Sequence, residues 1–341
     1  MPTLIHFRQE YLLFFYKPGE GLCLRIKKNH FWQEHIVLLR ETDGIFNIFS
    51  DDEKIHAIVL NQQNELVYLQ YNNNNWTKHK LCTLKPEICP TRLLLCESKG
   101  HINLFYSARY NDELLLIHCL LGNHAQPRII DRLSCDAFVS FRTRIYYTNA
   151  QEQLVYQDFS DGKPEHFFPV ANQAKMPYLF FYCGKSYLTY VENEKNIIFE
   201  GHKITESSDA KNPLLLTSDN RLTLLWQSHS FLYYTNSDDG GASWSKPLRY
   251  LHTASEIEIF EVISNRHRFY YYAAPIAGEI HFFANPSPFK ESDFSEDSPT
   301  PSPPDFEKLR IHLELLQRDI KQLRAQIQGL QNTREALKTD E

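Results

Sequence analysis

Short apolar strands separated by polar turns recur from the N-terminus to about residue 284, and this repetition constrains the fold more than any one motif does. Four copies open on a proline. Pro2-Thr3-Leu4 leads into Tyr11 to Tyr16, Pro90-Thr91-Arg92-Leu93 into His101 to Tyr106, Pro177-Tyr178-Leu179 into Ser186 to Tyr190, and Pro213-Leu214-Leu215 into Arg221 to Trp226. With the weaker copies included, second strands are expected to begin near Tyr11, Lys54, His101, Arg144, Ser186, Arg221 and Arg268, at spacings of 43, 47, 43, 42, 35 and 47 residues. Each spacing has room for four short strands; in the third copy they are expected at 92–97, 101–108, 113–120 and 128–133. A single four-stranded sheet cannot cover its own two faces, so copies of this size must stack on one another. The blades of a β-propeller do this at about 40 to 50 residues per repeat. The expected fold is all-β, a seven-bladed propeller over residues 1–285. Six blades is the alternative, because the unit at 177–207 is short and the last unit shows three clear strands, at 257–264, 267–274 and 278–283. A pair of β-sandwiches would supply as many strands but would not predict a proline-led first strand or a tryptophan at a fixed offset.

The turn between third and fourth strands carries an independent mark. Trp32-Gln33-Glu34, Trp76-Thr77-Lys78 and Trp244-Ser245-Lys246 all fall there, so three of the chain's four tryptophans share one position. Around the third of them the spelling is fullest: Ser237-Asp-Asp239-Gly-Gly241-Ala-Ser-Trp244, or S-x-D-x-G-x-x-W. Gly240 and Gly241 accept positive φ, Ser237 and Asp239 can bond turn amides, and Trp244 can fold back as an apolar cover. This stretch resembles the Asp-box of the sialidase-like propellers, known as BNR repeats. Ser160-Asp161-Gly162 keeps the Asp and Gly without the Trp, whereas Trp32 and Trp76 keep the Trp without them. The resemblance implies a propeller, with Ser237, Asp239, Gly241 and Trp244 in a structural role.

Composition excludes several classes of function. The chain is 42% hydrophobic and 13% aromatic, with 19 Tyr and 23 Phe against 2 Met, a balance suited to strands and a sizeable core. A formal net charge of -6 disfavours duplex nucleic acid, which requires a surplus of Lys and Arg on one face. The start, MPTLIHFRQEYLLFFYK, lacks the basic region and cleavage site of a signal peptide, and no stretch reaches the roughly 18 apolar residues of a membrane span. A cytoplasmic protein with no membrane partner is expected. Seven scattered cysteines, at 23, 82, 89, 96, 119, 135 and 183, contain no C-x-x-C pair and read as thiols in a reducing compartment.

Candidate binding residues lie on the face that carries the loops between second and third strands, where propellers usually hold function. Arg109-Tyr110-Asn111-Asp112-Glu113 is the richest of these loops in donors and acceptors, and His229 is the group among them that titrates near neutrality. Arg109, Tyr110, Asp112, Glu113 and His229 are therefore the expected ligand-binding set. No catalytic, metal or cofactor site is expected: the chain has no phosphate loop, G-x-S-x-G, H-E-x-x-H or clustered Cys/His set. The sialidase resemblance implies three arginines gripping a carboxylate, a Tyr nucleophile backed by a Glu, and an acid/base Asp. The closest match to the first arginine's stretch is His6-Phe7-Arg8-Gln9, without its Ile-Pro, and Arg144, Arg221 and Arg268 recur near second-strand starts, on the face opposite the candidate binding loops, which counts against a sialidase site. Alternation splits Tyr270-Tyr271-Tyr272 between two faces, which favours packing over an aromatic platform. The expected function is non-catalytic: a binding or scaffold protein recognising a protein or glycan. The alternative is a sialidase-like glycoside hydrolase acting from the central pocket, and a third reading is a spacer in a larger assembly.

After residue 285 the pattern changes. Residues 286–305, PSPFKESDFSEDSPTPSPPD, are rich in Pro, Ser and acid and read as a disordered linker. Ser298, Thr300 and Ser302 precede prolines, in spacer chemistry that also fits phosphoacceptor sites. From 306 to 338 a heptad takes over, with Phe306, Leu313, Ile320 and Ile327 at a, and Leu309, Leu316, Leu323, Leu330 and Leu337 at d. β-Branched residues at a with Leu at d favour two parallel strands. Leu309, Leu313, Leu316, Ile320, Leu323, Ile327 and Leu330 are thus the expected homodimer seam, and Gly329 and Arg334 fray its end. A lone helix docked on the propeller flank is the competing arrangement. Sedimentation of the full chain should show a dimer, and a chain ending at Asn285 a monomer; equal association states would refute the coiled-coil seam.

Overall fold

In the computed structural model the apolar alternation becomes 27 β-strands, and every regular element among the described residues is a strand. The described residues are 1–282 without 9, 29–30, 52, 73–74, 123–125, 142, 160–166, 183–184, 219–220, 230, 253–257, 265–266 and 277–278. The chain divides into two compact units, Met1–Pro288 and Phe289–Glu341. The linker at 286–305, the heptad seam and Ser160-Asp161-Gly162 all lie outside the described residues.

Seven antiparallel meanders follow one another. The first has β1 (Thr3–Phe7), β2 (Glu10–Lys17), β3 (Gly21–Lys28) and a broken fourth strand, β4 (Phe31–Trp32) and β5 (Ile36–Leu39), both paired to β3. The second has β6 (Thr42–Ser50), β7 (Ile55–Asn61), β8 (Glu65–Asn72) and β9 (Asn75–Thr83). The third has β10 (Cys89–Ser98), β11 (His101–Tyr110), β12 (Glu113–Leu120) and the first half of β13 (Arg128–Phe141); the second half of β13 opens the fourth, with β14 (Arg144–Asn149), β15 (Gln153–Asp158) and β16 (Phe167–Asn172). The fifth has β17 (Ala174–Tyr182), β18 (Lys185–Glu192), β19 (Asn196–Phe199) and β20 (His202–Glu206). The sixth has β21 (Ala210–Ser218), β22 (Arg221–Ser228), β23 (Phe231–Ser237) and β24 (Leu248–His252). The seventh shows β25 (Glu258–Ser264), β26 (His267–Ile276) and β27 (Glu279–Phe282). Second strands start within one residue of the positions that the repeat register predicts. The expected break between third and fourth units is absent, because β13 runs through it with a register shift between Leu133 and Phe138.

Strand alternation sends successive side chains to opposite faces, so each unit serves two neighbours. In β10, Leu93 and Leu95 join a cluster with Ile58 and Leu66 of the second unit, while Leu94 and Cys96 join Phe138 and Tyr147 of the fourth. The buried apolar side chains sort into seven such clusters. Six sit mainly between consecutive units, and the seventh joins Leu13 of the first unit to Phe260 and Ala273 of the last. Burying one Leu or Phe stabilises by about 1.5 to 3 kcal/mol, so no unit holds its shape without a neighbour on each side. Tyr270 and Tyr272 are buried in the cluster shared with the sixth unit, which fits the packing role read from alternation.

First and last units also meet edge to edge. β1 lies parallel to β25, with Thr3 opposite Glu261, and the Glu261 amide donates to the Pro2 carbonyl at 3.1 Å. Glu261 is fully buried and pairs with Arg268. It also accepts from Thr3 Oγ1 and Asn47 Nδ2, each at 3.3 Å. Arg268 donates to Asn47 Oδ1 at 3.2 Å, to the Ile48 carbonyl at 3.1 Å and to the Leu95 carbonyl, and the Leu95 amide donates to Asn47 Oδ1 at 2.8 Å. One polar network therefore ties the first strands of units one, two, three and seven.

The three marked tryptophans occupy one structural position. The residue after each bonds the third strand at its turn: Gln33 N–H to Ile26 O at 2.9 Å, Thr77 Oγ1 to Gln70 O at 3.3 Å, and Ser245 N–H to Asn236 O at 2.8 Å. Each ring packs against the unit before its own. Trp244 meets Phe199 edge-on at 5.2 Å, Trp76 meets Phe14 at 6.1 Å, and Trp32 lies with Phe260 and Ala273 of the last unit. In the fullest copy Ser237 Oγ donates to Asp239 at 2.7 Å and accepts from Gly241 N–H at 2.8 Å. The Ser243 amide donates to Asp239 at 2.9 Å, and Trp244 Nε1 donates to Gly241 O at 3.1 Å. Gly241 has φ near 98°, and a Cβ there would overlap the Phe199 ring, so glycine is required twice over.

One buried base makes the core sensitive to acid. His118 stacks on Phe105 at 4.7 Å, and its Nε2 lies 2.8 Å from Asn103 Oδ1. Burial lowers its pKa to about 4, with the Arg128 charge adding to the effect. Between its ordinary value near 6.5 and about 4 the unfolded chain carries the extra proton, so stability falls with acid across that window and is flat above it. The full effect is on the order of 3 kcal/mol. Urea unfolding from pH 7 to pH 4 should show this loss in the wild-type chain and a slope shallower by about one proton in His118→Gln. Identical slopes would refute a neutral buried His118.

Candidate functional site

The face carrying second-to-third-strand turns is built from tight, repeated geometry. Asn61 Oδ1 accepts from the amides of Gln63 (3.1 Å) and Glu65 (2.8 Å), and Asn149 Oδ1 accepts from those of Gln151 (3.1 Å) and Gln153 (2.9 Å). Asn64, Asp112, Glu152, Glu194 and His229 all hold positive φ between 51° and 63° at these turns. Side chains on this face are thus carried on short hairpins with defined directions.

At the third unit such a hairpin opens a polar pocket of about 360 Å³. Arg109 and Asp112 flank the β11–β12 turn, and Glu113 opens β12. Cys135 and Asp136 come from the stretch of β13 where register is lost between Leu133 and Phe138, and Arg132 from the regular part just before it, opposite Leu115 of β12. That slack lets β13 bow away from β14 and form the far wall. Glu113 pairs with Arg132 at 2.9 Å. Asp136 accepts from Ser107 Oγ, which also lies 3.0 Å from Thr91 Oγ1. Arg92 supports the wall from behind, stacked 5.0 Å over Phe138, with Nη1 donating to the Asp136 carbonyl at 3.4 Å. Tyr110 stands 40% exposed on the same turn. The pocket holds guanidinium and carboxylate groups together, a set that can donate to and accept from neighbouring hydroxyls of one ligand.

Arg109, Asp112 and Glu113 of the predicted set are brought together here; Tyr110, on the same hairpin, is not part of the lining. His229 is not among them. It sits on the sixth unit's β22–β23 turn, with Nε2 3.1 Å from Ser208 Oγ and Nδ1 3.8 Å from Asp209. Arg132, Cys135 and Asp136 were not predicted: Arg132 comes to the turn only by pairing across from β12, and nothing local marks the bow in β13 that carries the other two. A second group also converges from separated positions: the carboxylate of Glu20, the thiol of Cys23 and the imidazole of His35. No short Cys/His spacing announces it.

The three second-strand arginines do not assemble. Arg144 and Arg221 are exposed beside Asp158 and Asp238. Arg268 lines a cavity of about 290 Å³ walled by Phe49, Phe141, Phe181 and Tyr270. Its guanidinium is already engaged by Glu261, Asn47 and two carbonyls. Burial raises the Tyr270 hydroxyl well above its ordinary range, opposite to what a phenolate nucleophile requires. Among the described residues no three-arginine clamp forms.

No family model matches this chain, and no curated protein matches it in sequence. Among solved structures it resembles the BP39L lectin from Burkholderia pseudomallei at a TM-score of 0.52 and 8% identity, covering 82% of this chain and 94% of that one. It also resembles the BBS1N chain solved in complex with ARL6DN, at 0.47 and 12%, covering 84% and 93%. The fungal lectin of Aleuria aurantia, described as a six-bladed β-propeller, matches at 0.41 and 9%, covering 75% and 97%. At these identities the likeness bears on fold alone. The first match, together with the stacked four-stranded meanders, supports an all-β fold of the β-propeller type.

Proposed function

We propose that the chain is a non-catalytic, sialidase-like β-propeller that binds a glycan through the polar pocket of its third unit. The observation that carries this reading is the pocket itself: Arg109, Asp112, Glu113, Arg132 and Asp136 around one opening, with Tyr110 exposed on the same hairpin. Sugar hydroxyls need donors and acceptors side by side, and an exposed phenol ring offers a flat surface to the apolar face of a pyranose. The BP39L chain that shares the fold is named a lectin, which agrees with this use of the scaffold. The hydrogen-bonded turn from Ser237 to Trp244 supports the sialidase-like assignment. The seven units act as seven blades closing into a ring; the β1–β25 pairing and the cluster of Leu13, Phe260 and Ala273 support that closure. A parallel coiled coil over 306–338 joins two copies in the cytoplasm, and two weakly binding faces held together gain avidity without new contacts.

A glycan array probed with the full chain should identify a retained sugar. Arg109→Ala and Asp112→Asn should each weaken its binding by about tenfold or more, as expected for the loss of a charged hydrogen-bonding partner, with urea midpoints unchanged because Asn keeps the positive φ that position 112 holds. An array with no retained glycan, or binding unaffected by either substitution, would refute the assignment.

A further inference from the structure

The first unit differs from its neighbours in its fourth strand. The second unit completes its sheet with an unbroken β9, whereas here β4 stops at Trp32 and β5 resumes at Ile36. The break leaves Gln33, Glu34 and His35 outside the ladder. β5 then pairs with the start of β3, Val37 opposite Cys23 and Ile36 opposite Leu24. Close approach there depends on Gly21, whose φ is 102° and where a Cβ would overlap the Leu39 carbonyl. The result is a convergence of three separated residues: Glu20 from the β2–β3 turn, Cys23 from β3 and His35 from the interruption.

The donor atoms of these three side chains all lie within 4.8 Å of one another. His35 Nε2 is 2.5 Å from Glu20 Oε2, and the other Glu20 oxygen pairs with Lys17. Cys23 is fully buried, and its thiol makes a long contact of 3.6 Å to the Gly21 carbonyl. Phe15 closes one side, edge-on to the imidazole at 6.0 Å. Glu20 and His35 remain partly open to solvent, so an ion has a way in.

We propose that Glu20, Cys23 and His35 form a binding site for a divalent transition-metal ion, with Zn²⁺ the best fit. Carboxylate oxygen, thiolate sulfur and imidazole nitrogen are the three ligand types zinc accepts, at about 2.0 to 2.3 Å each. A tetrahedral ion of that size sets its ligands about 3.3 to 3.8 Å apart, a range bracketed by the 2.5 Å between Glu20 and His35 and the 4.8 Å that bounds the whole cluster. Three protein ligands leave a fourth position for water. Hard ions such as Mg²⁺ and Ca²⁺ are disfavoured by the sulfur and by the small number of oxygens. Lys17 holds Glu20 in place and competes for it, so it weakens the ion's hold. This site lies on the first unit and does not rest on the glycan reading.

Cobalt(II) is the probe, because four-coordinate Co²⁺ with a thiolate gives intense visible bands and a sulfur-to-metal charge-transfer band. The metal-stripped, reduced full chain should bind one Co²⁺ with both features, and Zn²⁺ should displace it. Cys23→Ser should abolish the charge-transfer band. His35→Gln should lower affinity by at least about tenfold, the loss seen when even an outer partner of a ligand is changed. Lys17→Met should raise affinity. If Cys23→Ser fails to fold, His35→Gln decides alone, since His35 is partly exposed. No thiolate band at one equivalent of cobalt, or a band whose affinity His35→Gln leaves unchanged, would overturn the site.

Discussion

A glutamate and an arginine with almost no solvent contact sit where four of the seven units meet. Moving two such charges out of water costs several kcal/mol each, and their attraction compensates only if the remaining donors and acceptors are also satisfied. Glu261 meets that condition through Thr3 and Asn47, and Arg268 through Asn47 and the carbonyls of Ile48 and Leu95. Every partner but Arg268 itself stands on a first strand. The network is therefore satisfied when β1, β6, β10 and β25 hold one relative register, and a shift of any of them strands a buried charge. Apolar stacking between units is non-directional and tolerates sliding. The polar centre supplies the direction that the stacking lacks.

Much of the architecture was legible in the sequence because each unit repeats the same burial problem. Proline-led first strands and second strands rich in Tyr and Phe recur because one strand must serve two interfaces, as Leu93 to Cys96 do. The tryptophans at 32, 76 and 244 kept their offset because each covers the edge of the preceding unit. What the repeat could not show are the departures from it. β13 serves two units without a break, and the fourth strand of the first unit is interrupted at 33–35. Both departures come from local loss of ladder pairing, which has no compositional sign in those stretches.

Site residues were legible in proportion to how local they are. Arg109, Asp112 and Glu113 lie within one hairpin, so their shared position follows from the turn. Arg132 reaches the same pocket through its pairing opposite Leu115 on the neighbouring strand, and Asp136 through the bow in β13. His229 was singled out for its titration range alone, and its turn belongs to another unit. Arg268 departs from its two counterparts. All three recur near second-strand starts, yet Arg144 and Arg221 are exposed beside aspartates while the fork of Arg268 is engaged inside the protein. The cavity beside it is lined by Phe49, Phe141, Phe181 and Tyr270 together with Glu97 and Lys99.

Among the described residues the last unit lies against the first through the pairing of β25 with β1. The Glu261 amide reports on it directly, because its N–H donates to the Pro2 carbonyl of the first unit rather than within its own unit. Native-state hydrogen exchange at single-residue resolution should find this amide as protected as those of the central strands, exchanging only with global unfolding. Exchange of Glu261 through a local opening, while amides bonded within β25 and β26 stay protected, would contradict the account.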